Sequence, residues 1–263
     1  MNLQRAGATR ARRAIEIIPL TGIGEVVPGD DLAATILAGI EASGTALIAG
    51  DILVVTQKIV SKAEGRFVAL DAVTPGEEAL RLAAITRKDP RLVELVLRES
   101  TTILRAVPHV LITRHRLGLV MANAGIDRSN IGPGGAERAL LLPEDPDRSA
   151  AGIADALAMS GPRPAVVISD SFGRPWRMGV TAVGIGAAGL PALHDRRGEV
   201  DRDGRTLEVT QVAIADLIAS AAALATGEGA EGVPAVIVRN YPFEGESRPA
   251  ADLNRPLAED LFQ

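Results

Sequence analysis

Short, β-branched apolar runs recur along this chain at irregular intervals, and that irregularity limits the possible folds more than any other feature. DILVVT (51–56), PAVVIS (164–169) and VPAVIV (233–238) are short and almost wholly apolar. Such runs read as strands buried on both faces. Between them lie helical patterns of unequal length. Asp30 is placed to cap a helix over LAATILAGIEAS, with Leu32, Ile36 and Ile40 on one stripe and Gly44 at its end. Thr74-Pro75-Gly76-Glu77 spells a capping box opening a helix to about Ala84, and a second helix spans Pro90 to Glu99. Asp147 is placed to cap SAAGIADALAMS, and Ile214, Leu217, Ile218, Ala221 and Leu224 form an amphipathic stripe. HVLIT and LGLVMAN, joined by RHR, read as a hairpin, and VTAVGIGAAGL as a Gly-rich strand. This order predicts a mixed α/β (α+β) fold with mixed sheets, without the regular βαβ spacing of a doubly wound sheet.

A length of 263 residues allows one large domain or two modest ones. The expected organisation is a flexible basic tail over 1–14, a main domain over 15–245, and an extended tail over 246–263. NIGPGG (130–135) and PEDPD (143–147) are the expected divisions between two lobes. The absence of cysteine removes disulfides and thiolate chemistry and fits a cytoplasmic protein. No apolar stretch reaches the roughly 20 residues of a membrane-spanning helix, so no membrane partner is expected. A net charge of −5 with six aromatic residues argues against nucleic acid, which calls for basic surface and stacking rings. The three histidines are scattered: His109 at a strand edge, His115 in the charged turn RHR, and His194 in HDRR. They offer no zinc spacing.

Phosphate-binding spellings give little. No G-x-x-x-x-G-K-[ST] occurs, and GIGAAG (184–189) sits inside an apolar run with no clear helix behind it, so neither a P-loop nor a Rossmann fold is expected. More informative are polar clusters where apolar runs end, a common place for ligands in α/β proteins. TQKIVSKAEGR (56–66) carries Lys58, Lys62 and Arg66; ANAGIDRSNIGPGG (122–135) carries Asp127 and Asn130; SDSFGRPWRMG (169–179) carries Asp170 and Ser171; and Glu228 is flanked by glycines. Each also has a plain structural reading, as a solvated strand exit or a capped turn. Oxygen ligands from Asp127, Asp170, Ser171 and Glu228 would suit Mg²⁺ or Mn²⁺. Lys62, Arg174 and Arg177 could hold phosphate oxygens. Taken alone, these residues stop at an oxygen-lined metal site.

In their order along the chain, however, these segments resemble the coenzyme F420-0:L-glutamate ligase (F420 γ-glutamyl ligase) family. The matching stretches are IEIIPLTGIGEVVPGDDL, GDILVVTQKIVSKAEGR, RESTTILR, LVMANAGIDRSNI, ISDSFGRPWRMGVTAVGIG and DLIASAAALATGE, covering roughly 15–240. The resemblance implies that family's fold and a GTP-dependent enzyme that adds L-glutamate to F420-0, and then further γ-linked glutamates, through an acyl phosphate. It also implies two divalent-metal sites (Mg²⁺ or Mn²⁺), room for K⁺, and a homodimer. By position, Asp127 and Asp170 match ligands of one metal and have catalytic roles; Ser171 and Glu228 match the shell of the second. Ile18, Pro19, Leu20 and Thr21 match the segment lining the nucleotide. Gln57, Lys62, Asn130, Thr226, Gly227 and Glu228 fall at further nucleotide-contact positions. Some relatives carry a C-terminal flavin-binding domain, and the ending RPLAEDLFQ resembles the boundary at which it would begin. The competing readings are a metal-dependent phosphatase or nucleotide hydrolase, and a non-catalytic nucleotide-binding protein.

Overall fold

A computed structural model describes residues 13–132 and 137–260. Most of the proposed N-terminal tail, the end of the NIGPGG loop and the last three residues lie outside that range. A five-stranded sheet organises the chain. Its order is β1 (Glu16–Pro19), β12 (Ala235–Arg239), β2 (Ile52–Thr56), β8 (Ala165–Arg174) and β9 (Arg177–Ala188). Only β2 and β8 run parallel; the other pairings are antiparallel. The fold is therefore mixed α/β, as the uneven spacing of apolar runs implied.

The three central strands are apolar throughout Ala235–Val238, Ile52–Val55 and Ala165–Ile168, where both sheet faces are covered. Successive residues of a strand point to opposite faces. Leu53, Val55, Val166, Ile168 and Ile237 accordingly join one core with α1 (Leu32–Ala42) and α5 (Pro146–Ala158). Their neighbours Ile52, Val54, Val167, Val236 and Val238 join a second core with α6 (Ile214–Thr226). GIGAAG forms the end of β9 up to Ala188, and its first two glycines serve packing. A Cβ on Gly184 would meet the Ala215 Cβ at 2.7 Å, and one on Gly186 would collide with the Pro146 backbone.

A third core gathers the middle of the chain: β3 (Phe67–Ala69), α3 (Glu77–Thr86), α4 (Pro90–Arg98), β4 (Ser100–Val107), β5 (Val110–His115) and β7 (Arg138–Leu140), while β6 (Val120–Ala122) pairs with β5 and sends Met121 into the first core. The hairpin joined by RHR is present as β5 and β6. β4 was not anticipated, because its residues alternate without a buried apolar face. A small ribbon of β10 (Leu193–Asp195) and β11 (Gln211–Ala213) precedes α6.

Several local expectations need correction. Asp31 rather than Asp30 caps α1, accepting the Ala34 N–H at 3.1 Å, while Asp30 accepts from Val27 instead. The Thr74 capping box does not form: α3 begins at Glu77 after Gly76, with no side-chain cap. Asp145 caps α5 with Pro146 in its first turn. Asp147, one residue further in, ties three backbone N–H groups together: Ala187 (2.8 Å), Ala250 (2.7 Å) and Ala251 (3.2 Å). The C-terminal segment is thereby fastened to β9 and α5, and it contains two short 3₁₀ turns, Ala250–Leu253 and Leu257–Glu259.

The stripe on α6 is rotated from the expected one. Ile214, Ala215, Ile218, Ala219 and Ala222 are buried, whereas Leu217 and Leu224 are exposed. Small alanines allow close approach to the glycines of β9, so volume rather than hydrophobicity chose the inner face. His115 is fully buried, not in an open turn; its Nδ1 accepts the Leu117 N–H and its Nε2 lies 3.3 Å from Glu99. His109 turns the chain between β4 and β5 with φ +68°. SDSFGRPWRMG is a strand extension and an exposed turn together, the outer half of a β-hairpin. β8 runs through it to Arg174, the chain reverses at Pro175-Trp176, and β9 leaves from Arg177.

Candidate functional site

The site lies where the parallel pair β2 and β8 ends. In open α/β sheets, ligands bind outside the carboxyl ends of such strands, where the connections diverge. β2 passes directly into α2 (Gln57–Ala63), which places Gln57 and Lys58 on the first helical turn. β8 continues as the hairpin, which places Asp170 and Ser171 just beyond the buried Ile168. Asp127 arrives from the third core, and its backbone exchanges two 2.9 Å hydrogen bonds with Leu140.

The turn that delivers Asp127 is strained. Asn123, Ala124 and Gly125 all have positive φ (52°, 51° and 68°), a conformation that is unfavourable by about 1–2 kcal/mol for each non-glycine residue. Gly125 is required on space grounds as well, since a Cβ there would sit 2.7 Å from Met121 and 2.9 Å from Leu142. Asn123 also leaves its buried Oδ1 without a hydrogen-bond partner.

Gln57 and Lys58 grip Asp127. The Gln57 amide donates to Asp127 Oδ2 at 2.7 Å, while its own Oε1 accepts from Ser61 at 2.9 Å. That second bond fixes which way the amide faces. The Lys58 ammonium stands 3.6 Å from Asp127 Oδ1. Burial raises the Asp127 pKa above the usual carboxylate value, with the Lys58 charge and the Gln57 bond opposing. Asp170 is pushed up to about 7, chiefly by burial and next by the negative charge of Asp127. Two enclosed carboxylates facing one another want a cation between them.

Ser171 points elsewhere, donating its hydroxyl to both oxygens of Glu228 at 2.7 and 2.8 Å. Glu228 sits just past α6, after Gly227 ends the helix with φ +66°. Asn130, itself at φ +56°, donates to the Gly229 carbonyl at 3.1 Å and so joins the Asp127 loop to the same turn.

These residues surround a cavity of about 390 Å³, whose walls include Gln57, Asn123, Asp127, Asp170, Ser171 and Glu228. Asn130, Thr226 and Gly227 also line it. Lys58, Asn130 and Gly229 continue into a second cavity of about 650 Å³. Lys62 lines this second space, nearly buried, with its ammonium 2.6 Å from Glu25. The expected nucleotide segment lies apart from both cavities. Ile18 and Pro19 belong to β1, Leu20 is fully buried in the first core, and the Thr21 N–H donates to Ser43 at 2.8 Å. The chain that follows, Ile23 to Val26, is what lines the second cavity.

Sequence reasoning left Asn123, Glu25 and the 229–234 segment out of the site. Asn123 gives no signal beyond its place in ANAGID, since left-handed strain is invisible in the letters. Lys58 was noticed as a charge after a buried strand and not assigned a place. Arg174, Trp176 and Arg177 form the exposed hairpin tip and line neither cavity.

As a metal-binding set, the residues fit ions that keep many ligands from water and phosphate. Among the described residues no three acidic or histidine side chains converge into a cage. Two carboxylates with a hydroxyl and a neighbouring carboxylate match the habit of Mg²⁺, which takes one or two carboxylates and completes its shell elsewhere.

A sequence profile described as F420-0:Gamma-glutamyl ligase matches residues 22–240. The coenzyme F420:L-glutamate ligase of Methanothermobacter thermautotrophicus is 45% identical over 255 residues, covering 95% of this chain and 99% of that protein. The protein of the same name from Methanopyrus kandleri is 46% identical over 255 residues, covering 95% and 97%. That from Halobacterium salinarum is 46% identical over 248 residues, covering 92% and 93%.

Proposed function

The chain belongs to the F420-0:gamma-glutamyl ligase family, and on that premise we propose that it joins L-glutamate to coenzyme F420-0 using GTP and divalent cations. The observation that carries the site assignment is the Asp127–Asp170 pair in the wall of the first cavity, beside the Lys58 that lines both. Amide formation from a carboxylate needs its oxygen turned into a leaving group. In the proposed reaction the terminal carboxylate of F420-0 attacks the γ-phosphorus of GTP; an O–P bond forms, the β–γ bridge breaks, and GDP departs. The glutamate amine then attacks the acyl carbon, phosphate leaves with the bonding pair, and the amine nitrogen gives up its proton.

Asp127 and Asp170 would hold one cation, with Ser171 and Glu228 in the shell of a second. Mg²⁺ or Mn²⁺ there supplies positive charge against the phosphate oxygens. The protein's own part is positioning. Gln57 and Lys58 keep the Asp127 carboxylate aimed into the cavity, and Lys58 stands where the two spaces meet while Lys62 lines the second. A homodimer is part of the proposal, supported by the exposed Trp176, Met178 and Val180 on the hairpin and Leu217 and Leu224 on α6. The arginines at 174 and 177 give that arm a positive tip suited to an acidic substrate.

The direct test incubates the protein with F420-0, L-glutamate, GTP and Mn²⁺ or Mg²⁺, with and without K⁺. Mass spectrometry should find product heavier by one or more glutamyl residues, with phosphate release dependent on both acceptors. Phosphate release from GTP alone would instead identify a nucleotide hydrolase.

A further inference from the structure

The metal side of the site leaves open which group recognises the base of the nucleotide. The second cavity has room for a nucleoside, and Ile23, Val26, Ile59, Ile131 and Val233 give it apolar walls. Among the described residues that line it, Glu25 is the only acidic one. Its carboxylate is held rather than loose. Lys62, with a side chain only 6% exposed, grips Oε1 at 2.6 Å. Gly132, at φ +90°, lies against the same oxygen, where a Cβ would approach to 2.7 Å. The Glu25 side chain nevertheless stays 54% exposed. The carboxylate is fastened on one side and presented on the other.

We infer that Glu25 reads the Watson–Crick edge of a guanine base in this cavity, accepting from its N1–H and exocyclic 2-amino group. The inference rests on the GTP reading above. An ionised carboxylate only accepts hydrogen bonds, and its two oxygens carry about four lone-pair sites, so the bond from Lys62 leaves acceptor capacity on both. Guanine places two donors side by side at the spacing of those oxygens. Adenine places a ring acceptor at the equivalent position, where its lone pair would face the carboxylate charge. Lys62 is then a positioning residue: it fixes the carboxylate and offsets part of its charge. The competing explanation is that Glu25 merely neutralises a nearly buried lysine.

Isothermal titration calorimetry with GTP, ITP and ATP, each with Mg²⁺, separates the two on wild type, Glu25→Gln and Glu25→Ala. ITP lacks only the 2-amino group. Wild type should prefer GTP over ITP by about tenfold to a hundredfold, the range of a hydrogen bond to a charged acceptor. Both variants should lose that preference, and Glu25→Gln, which keeps the size and one acceptor, serves if Glu25→Ala fails to fold. If the variants bind every nucleotide more weakly but keep the wild-type GTP:ITP ratio, Glu25 is only a counter-ion and the inference is overturned. If wild type binds no guanine nucleotide, the GTP reading falls and this inference with it.

Discussion

Asp170→Asn should make the metal-free protein more stable and inactive at once. The Asp170 pKa moves from 3.8 to about 7 on folding. The folded protein therefore binds that proton more tightly than the unfolded chain. The stabilisation from this proton is complete below the unfolded value of 3.8, is lost as pH rises toward 7, and is absent above it. At pH 8 the folded state thus carries an ionised carboxylate that its surroundings oppose. At about 1.4 kcal/mol per pKa unit, the full shift corresponds to roughly 4 kcal/mol. The side chain is only half-buried at the cavity wall, so water there screens part of this, and an amide has its own desolvation cost. A gain of about 1–3 kcal/mol remains, which for a domain of this size raises the melting temperature by roughly 2–10 °C. Thermal melts followed by circular dichroism at pH 8 and pH 5 measure it. The variant should melt higher at pH 8, and the gap should narrow at pH 5 as the wild-type carboxyl takes up its proton. Adding Mn²⁺ at pH 8 should stabilise wild type more than the variant, which keeps only Ser171 and Glu228 of the second site intact, and glutamate ligation should vanish. A variant that melts below wild type at pH 8, or gains equally at both pH values, would refute the electrostatic account.

Gly186→Ala drives a methyl group into the backbone at the start of α5; a loss of about 1–3 kcal/mol or more in urea unfolding is expected. Its GTP affinity, measured where the variant is folded, should match wild type, because the glycines of GIGAAG pack helices and hold no phosphate. Asn123→Gly suits the positive φ and removes a buried acceptor without a partner. Its stability should change by less than about 1 kcal/mol while ligase turnover falls; wild-type turnover would remove Asn123 from the site. Leu224→Asp combined with Met178→Asp places charge on two highly exposed apolar positions, one on α6 and one on the hairpin, and light scattering after gel filtration should show the proposed dimer dissociating with the monomer still folded.

What the sequence disclosed and what it concealed follow from the range of the forces involved. Burial on both faces of a strand is written locally, as in Ile52 to Val55, so β2, β8 and β12 could be read directly. Caps were misplaced by a residue or two because Asp30 and Asp31, or Asp145 and Asp147, are equally good acceptors in isolation. Tertiary demand decided between them, and Asp147 was wanted by Ala187 and Ala250. The inner face of α6 was misread because the glycines of β9 call for alanine rather than leucine. Asp127, Asp170 and Ser171 were recognisable because they stand in dense motifs. Glu25 was not, since its meaning depends on Lys62, which lies 37 positions away.

The two halves of the acidic site are set by the smallest periodicity in the fold. Along β8, Val166 and Ile168 face the core shared with α1 and α5, while Ala165 and Val167 face the one shared with α6. Continued into the hairpin, the same alternation sends Asp170 to the first side and Ser171 to the second. Their partners agree: Asp170 interacts with Asp127, Lys58 and Gln57, and Ser171 with Glu228 at the exit of α6. Two adjacent letters therefore serve the two proposed ligand shells, one on each side of the strand. No other local geometry does this so simply, because neighbours on a helix diverge by only about 100° and stay near one face. A one-residue slip of β8 would exchange the two side chains, put the hydroxyl opposite Asp127 and the carboxylate opposite Glu228, and leave like charges facing on the second side. The pairing of Ile52 to Thr56 with Ala165 to Ser169, fixed by apolar burial on both faces, is what prevents that slip. The hydrophobic core thus sets the register on which the acidic chemistry depends.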